Sequence, residues 1–267
     1  MSAHAAPIDH RAARGGSPAA ATQAAPGRAA AVPPPATATP LVAVCGLCGG
    51  AGATTLAYLL ARAHARETRA RVLVCDTGGP SGGLVAYAGA RTARSLPRIA
   101  DAVAAHAPLG DALFAHAADG LRVMASRPAL ESGADPRGLA RVLHDARSAH
   151  ELTVVDCGLP VSAIEQQVIA TASHVAWVLP ATVGGLRRAR PLLDLLGIDS
   201  ARRELVVARE DLGGSAAATD ELRALAERRD AALVLMPHVP DLGEHPAEEA
   251  LEEAGLTLDA IRMEVTR

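Results

Sequence analysis

The chain has 267 residues, 49% of them hydrophobic, and a formal net charge of -3. That leaves room for one substantial α/β domain and a tail, and it excludes the strongly basic balance of a protein that coats nucleic acid. Phe, Tyr and Trp together supply only 1% of residues, so the core must be built from Ala, Val and Leu, and the aromatic platforms that stack single-stranded nucleic acid are missing.

All 26 basic residues are Arg. With so much Ala, this points to a GC-rich coding bias and hence to a bacterium. It also matters chemically, because Arg is a planar fork and Lys a compact point charge, and one does not replace the other inside a tight loop. Four Cys in a chain of this size fit a reducing cytoplasm. No run approaches the roughly 18 to 20 apolar residues that span a bilayer. Arg11, Arg14 and Arg28 lack the apolar stretch of a secretory signal. The expectation is a cytoplasmic protein with no intrinsic membrane segment, brought to a membrane or cell pole only by a partner.

Residues 1–40 are mostly Ala, Pro, Gly, Ser and Thr with the run Pro33-Pro34-Pro35, a composition that cannot bury enough surface to order itself. They read as a flexible tail. From Leu41, apolar runs alternate with helical patterns. The runs are 41–45, 72–75, 121–126, 152–156, 174–180, 204–208 and 232–237. Leu56, Leu59, Leu60 and Ala63 recur at helical spacing, as do Leu186, Ala189 and Leu193. Continuous apolar strands alternating with amphipathic helices predict a doubly wound, mostly parallel sheet with helices on both faces, spanning 41–242. Residues 243–267, with Glu244, Glu248, Glu249, Glu252 and Glu253, read as an acidic helical tail rather than the basic amphipathic helix of a membrane surface.

Ligands of such sheets bind at the carboxyl ends of the strands. The stretch CGLCGGAGATT begins there, between the run 41–45 and the first helix. A glycine-rich turn followed by a helix surrounds an anion with backbone N–H groups. Against the phosphate-loop pattern G-x-x-x-x-G-K-[ST], Gly52 and Thr54 match, Leu47 stands for the first Gly, and Ala53 stands for the Lys. Asp76 and Asp156 close two other strands, where paired carboxylates face a metal more often than they cap the next segment. Cys45, Cys48, Cys75 and Cys157 also fall near strand ends. Gathered thiols would suggest zinc or an iron–sulfur cluster, and thiols in apolar strands act as small hydrophobes.

These blocks resemble the MinD/ParA family, the deviant phosphate-loop ATPases of the SIMIBI class. That family reads K-G-G-x-G-K-[ST]-T where this chain reads CGGAGATT. VLVCDTGGPSGGL at 72–84 is similar to its D-x-D-P-x-x-G-x-L block, LTVVDCGLP at 152–160 to its Walker B strand, HVAWVLPATVGGLRRA at 174–189 to the strand and helix that follow, and LVLMPHVPD at 233–241 to its late I-P-x-D loop. Cys48 stands for the family's signature Lys, Ala53 for the Walker Lys, Gly78 for the second Asp of D-x-D, and Ala208 for an adenine-reading Asn. An Ala in place of the Walker Lys resembles the CpaE/TadZ branch.

The resemblance implies a P-loop NTPase fold and a nucleotide site of Gly49, Gly50, Ala51, Gly52, Ala53, Thr54 and Thr55. It further implies ATP with Mg2+, a metal held by Thr54, Asp76 and Asp156, Asp76 as the catalytic carboxylate, a protein partner complex, and a homodimer. Sequence-specific nucleic-acid binding is not expected. With both loop lysines missing, hydrolysis is expected to be weak or absent, unless an Arg such as Arg127, Arg187 or Arg188 replaces them. Three readings stay open: an ATP-binding switch that positions a cellular assembly, a scaffold of the same fold that binds no nucleotide, and a Cys-based metal or redox sensor.

Overall fold

The computed structural model describes residues 39–77, 83–89, 94–105, 114–125, 134–198, 201–210, 216–239 and 241–267. The tail as far as residue 38, and Gly78, Ser126, Arg127 and Pro240, lie outside the described residues.

The seven apolar runs all form strands: β1 (Leu41–Gly46), β2 (Val72–Asp76), β4 (Arg122–Met124), β5 (Leu152–Gly158), β6 (His174–Pro180), β7 (Arg203–Arg209) and β8 (Ala232–Met236). A two-residue strand, β3 (Ala115–His116), adds an antiparallel edge on β4. Among the described residues the sheet order is β3-β4-β2-β5-β1-β6-β7-β8, with the other pairings parallel.

Alternate residues of each strand serve opposite faces, because successive side chains point to opposite sides of a pleated sheet. Leu41, Ala43 and Cys45 enter one core with α3 (Leu96–Ala104), α4 (Pro136–Ala149), α5 (Ala163–Thr171), α6 (Val183–Leu196) and α7 (Ala216–Arg228). Val42 and Val44 enter the other with α1 (Ala53–Thr68), α2 (Gly83–Tyr87), α8 (Ala247–Glu253) and α9 (Gly255–Val265). Both faces are covered, and strands buried on two faces read as unbroken apolar runs for that reason.

The acidic segment at the C-terminus is the outer half of the second core. Ala250, Leu251, Ala254, Leu258, Ile261 and Val265 are buried against α1 and the sheet, and the acids face outward. Arg62 of α1, whose side chain is buried, ties this layer together by ion pairs to Asp119 at 2.9 Å and to Glu248 of α8 at 2.5 Å.

Strand order reverses at β1. The chain leaves β1 toward β2 on one side, then returns from β5 across β1 to β6 on the other. The crevice at such a switch point, beyond the strand carboxyl ends, is where this class of sheet takes its ligands. A β-bulge between Val44 and Cys45 sets Cys45 opposite Gly158, and Gly158 has φ 51°.

Candidate functional site

β1 runs into the glycine-rich loop at Gly46, and α1 starts at Ala53. Leu47 can stand where the phosphate-loop pattern has Gly because its side chain is buried in the core beneath the loop, and its N–H donates to the Val178 carbonyl at 2.8 Å. A turn closes from Ala51 N–H to the Cys48 carbonyl at 3.2 Å. Gly50 and Gly52 adopt φ of 71° and 96°, conformations that cost other residues about 1 kcal/mol or more. A Cβ added at Gly49 or Gly50 would meet nothing within 4 Å, so the space above the loop is open.

Gly52 caps α1, and no side chain caps that end. The first amides of a helix have no partner within it and carry its positive dipole end. Here they face a cavity of about 1000 Å³, at the upper end of the range for small-molecule sites; the loop, Asp76, Tyr87, Asp156 and Arg209 all line it.

Thr54, in the first turn of α1, sets its hydroxyl beside the Asp156 carboxylate. Asp156 accepts from Gly158 N–H at 3.0 Å. Burial holds its carboxyl above the usual range, and the Thr54 hydroxyl and the Gly158 N–H only partly offset that. Asp76 is the register partner of Asp156 across the parallel pair β2–β5, and both are buried. The structure thus brings Thr54, Asp76 and Asp156 to one wall of the cavity. A Cβ at Gly83 would lie 3.2 Å from Thr54 Cγ2, so the small residue lets α2 approach and carry Tyr87 to the rim.

Two carboxylates and a hydroxyl are hard oxygen donors of the kind magnesium takes when phosphates complete its shell. The open space above Gly49 and Gly50 and the helix end facing it suit a polyphosphate. The residues present therefore fit a magnesium nucleotide, except that Cys48 and Ala53 leave the loop itself without a cation.

A cation lies beside the loop all the same. Arg209, the last residue of β7, donates from Nη1 to the Gly50 carbonyl at 2.9 Å. Its guanidinium lies 3.7 Å from the position a Gly52 Cβ would take. Sequence reasoning missed it, naming Arg127, Arg187 and Arg188 instead. Arg187 and Arg188 lie on the exposed face of α6 and do not line the cavity.

The thiols do not gather into one group. Cys45 and Cys157 are neighbours, and burial first, then the nearness of Cys45, pushes the Cys157 thiol well above its ordinary value. Cys75 is buried with Sγ 3.6 Å from the Val154 carbonyl, and burial raises its thiol too. Cys48 is half-buried on the cavity wall. Among the described residues no group of three or more His, Cys, Asp or Glu could hold a metal.

The loop between β1 and α1, the strand order and the paired strand-end carboxylates define a phosphate-loop α/β fold of the nucleoside-triphosphatase class. Solved structures share it. A ParA family ATPase from Chlorobium tepidum TLS matches with a TM-score of 0.68 at 20% identity, over 85% of this chain and 99% of that one. A chain of the MinC:MinD cell division protein complex from Aquifex aeolicus matches with a TM-score of 0.66 at 16% identity, over 85% and 95%. The septum site-determining protein MinD of Pyrococcus horikoshii OT3, complexed with Mg-ADP, matches with a TM-score of 0.63 at 17% identity, over 86% and 96%. No protein-family model and no curated protein matches the chain.

Proposed function

We propose that this protein is a divergent MinD/ParA-type switch that binds ATP with Mg2+ in the crevice above β1 and positions a partner complex according to its nucleotide state. The observation that carries the reading is the joint placement of Thr54, Asp76 and Asp156 beside the left-handed Gly50 and Gly52 at the end of β1. Strand, glycine loop, helix end and paired carboxylates converge on one cavity, and a purely structural turn has no need of the last two.

In this reading the amides of Gly49 to Thr55 cradle the phosphates. Thr54, Asp76 and Asp156 hold magnesium, which neutralises phosphate charge when bound, and Asp76 orients the attacking water. Turnover is slow or absent. Catalysis of phosphoryl transfer is chiefly electrostatic, and each lost preorganised donor costs about 10²–10³ in rate. Ala53 and Cys48 supply none.

The Mg-ADP of the P. horikoshii protein and the MinC:MinD assembly of A. aeolicus support carrying nucleotide, magnesium and a protein partner over to this chain. The Ala-for-Lys loop resembles the CpaE/TadZ branch, and that resemblance supports only a role in positioning a partner. The partner would belong to pilus or secretion machinery, a division septum or a partitioning system, and the switch would act as a homodimer in the cytoplasm. No helix among the described residues is long and apolar enough to cross a membrane, so recruitment to a membrane or pole would come from the partner.

Thermal unfolding tests the reading. Ligand at 100 times its dissociation constant stabilises the folded state by about 2.7 kcal/mol, so Mg-ATP should raise the midpoint by several degrees in the unmodified protein. No shift there, with a clear shift in Ala53→Lys, would mean that the fold keeps the cradle and has given up the ligand, leaving the scaffold reading.

A further inference from the structure

We infer that Arg209 is the phosphate-binding cation of this site, entering from the end of β7 to do from outside the loop what a lysine does from within it. The inference rests on the ATP reading above and adds a residue that the phosphate-loop pattern does not contain.

The charge around the cavity, which His238 also lines, favours such a group. Asp76, Asp156, Glu165 and Asp241 line it, and Arg209 is the one Arg among the described residues that does. Four carboxylates around a cavity repel a polyphosphate. A divalent ion held by Asp76 and Asp156 would offset part of that repulsion, and a cation at the glycine loop would add to what its amides and the helix end supply. This chain has no Lys to supply it.

The placement of Arg209 is fixed by the sheet. It pairs with Pro180 of β6 and Met236 of β8, and its carbonyl accepts from Ala181 N–H at 2.7 Å. From that base the side chain reaches across β6 to the loop, with Nη1 2.9 Å from the Gly50 carbonyl and the guanidinium over Gly52. These are the two glycines whose left-handed backbones shape the loop. A guanidinium carries five N–H donors in one plane. It can hold a backbone carbonyl and phosphate oxygens together, which a compact ammonium does less well. Arg209 therefore both braces the loop at Gly50 and presents charge to the ligand.

The test is calorimetric titration of Mg-ATP into the full-length protein and its Arg209→Ala, Arg209→Gln, Ala53→Lys and Arg209→Ala/Ala53→Lys variants, each first shown by its unfolding midpoint to be folded. The inference predicts a loss of affinity of tenfold or more in Arg209→Ala. Arg209→Gln should lose as much, since it keeps a donor for the Gly50 carbonyl and loses the charge. Ala53→Lys should restore most of the loss in the double variant. Binding by the unmodified protein with Arg209→Ala within twofold of it would overturn the inference and leave the ATP reading standing. So would a full loss in Arg209→Ala that Arg209→Gln repairs, since a brace without charge would then be enough. Binding by Ala53→Lys alone, with none by the unmodified protein, would overturn both.

Discussion

The Thr54 hydroxyl at the start of α1 lies beside the carboxylate of Asp156 near the end of β5, on the side that favours its ionised form. Asp156 is buried, and burial raises its carboxyl from 3.8. A carboxyl raised by folding contributes stability that is complete below its unfolded value and is lost as pH rises through the folded one. At neutral pH the ionised group is thus a cost, of a kind retained at functional sites. Asp156→Asn keeps the shape and acceptor and removes the charge. It should melt a few degrees higher than the unmodified protein at pH 7, with the gain shrinking toward acid, while nucleotide affinity loses its magnesium dependence. An unchanged or lower midpoint would show that the Thr54 hydroxyl and the Gly158 N–H outweigh desolvation.

His174 has the opposite sign. It is buried at the start of β6, Nδ1 lies 3.0 Å from Ser173 Oγ, and Nε2 has no hydrogen-bond partner. Burial first, then the charges of Arg203 and Arg147 against the opposing Glu264, lower it from 6.5 to about 4. The unfolded chain then binds more protons across that window. The contribution is complete above about 6.5 and is lost as pH falls to about 4, with a ceiling of about 3 kcal/mol. Urea unfolding from pH 7 to 4 should show this loss, and His174→Gln, which does not titrate, should flatten it.

Of the fold, the strands and the doubly wound sheet were legible, because strands buried on both faces are apolar throughout and helices repeat every three or four residues. β3 was not, since two residues, Ala115 and His116, make no pattern. The acids of 243–267 suggested a tail because they dominate the composition, while the buried stripe from Ala250 to Val265 is spread thinly between them. That Thr54, Asp76 and Asp156 share one end of the sheet could be read, because each lies near the end of a strand or the start of a helix. Arg209 could not. It is 159 residues from Gly50, and only the order β1-β6-β7 puts them side by side. The signal available was an Arg closing a strand two places from β1, which needs the strand order first.

Glu204 anchors the opposite end of the sheet. It accepts from Trp177 Nε1 at 2.9 Å and from Arg229 Nε at 2.7 Å, and the guanidinium lies 5.5 Å from the centre of the Trp177 ring. All three residues are buried. Removing one partner of a buried pair strands the other charge, at about 3–5 kcal/mol. Glu204→Ala should lose that much in urea unfolding, and its folded fraction should bind nucleotide as the unmodified protein does.

Gly138 sets the spacing of α3 and α4. A Cβ there would fall 2.1 Å from the Ala100 carbonyl oxygen, so the helices would have to part. Gly138→Ala should destabilise by about 1–3 kcal/mol despite the better helix propensity of Ala. Gly255→Ala is the control. It opens α9 with nothing within 4 Å of the added carbon and should be neutral or stabilising.

The measurement that tests the account most directly is calorimetric titration of ATP into the purified protein, with and without magnesium, under reducing conditions. The account predicts saturable one-site binding in the micromolar range that weakens at least tenfold when magnesium is withheld. No heat of binding at millimolar ATP, or an affinity indifferent to magnesium, would contradict it.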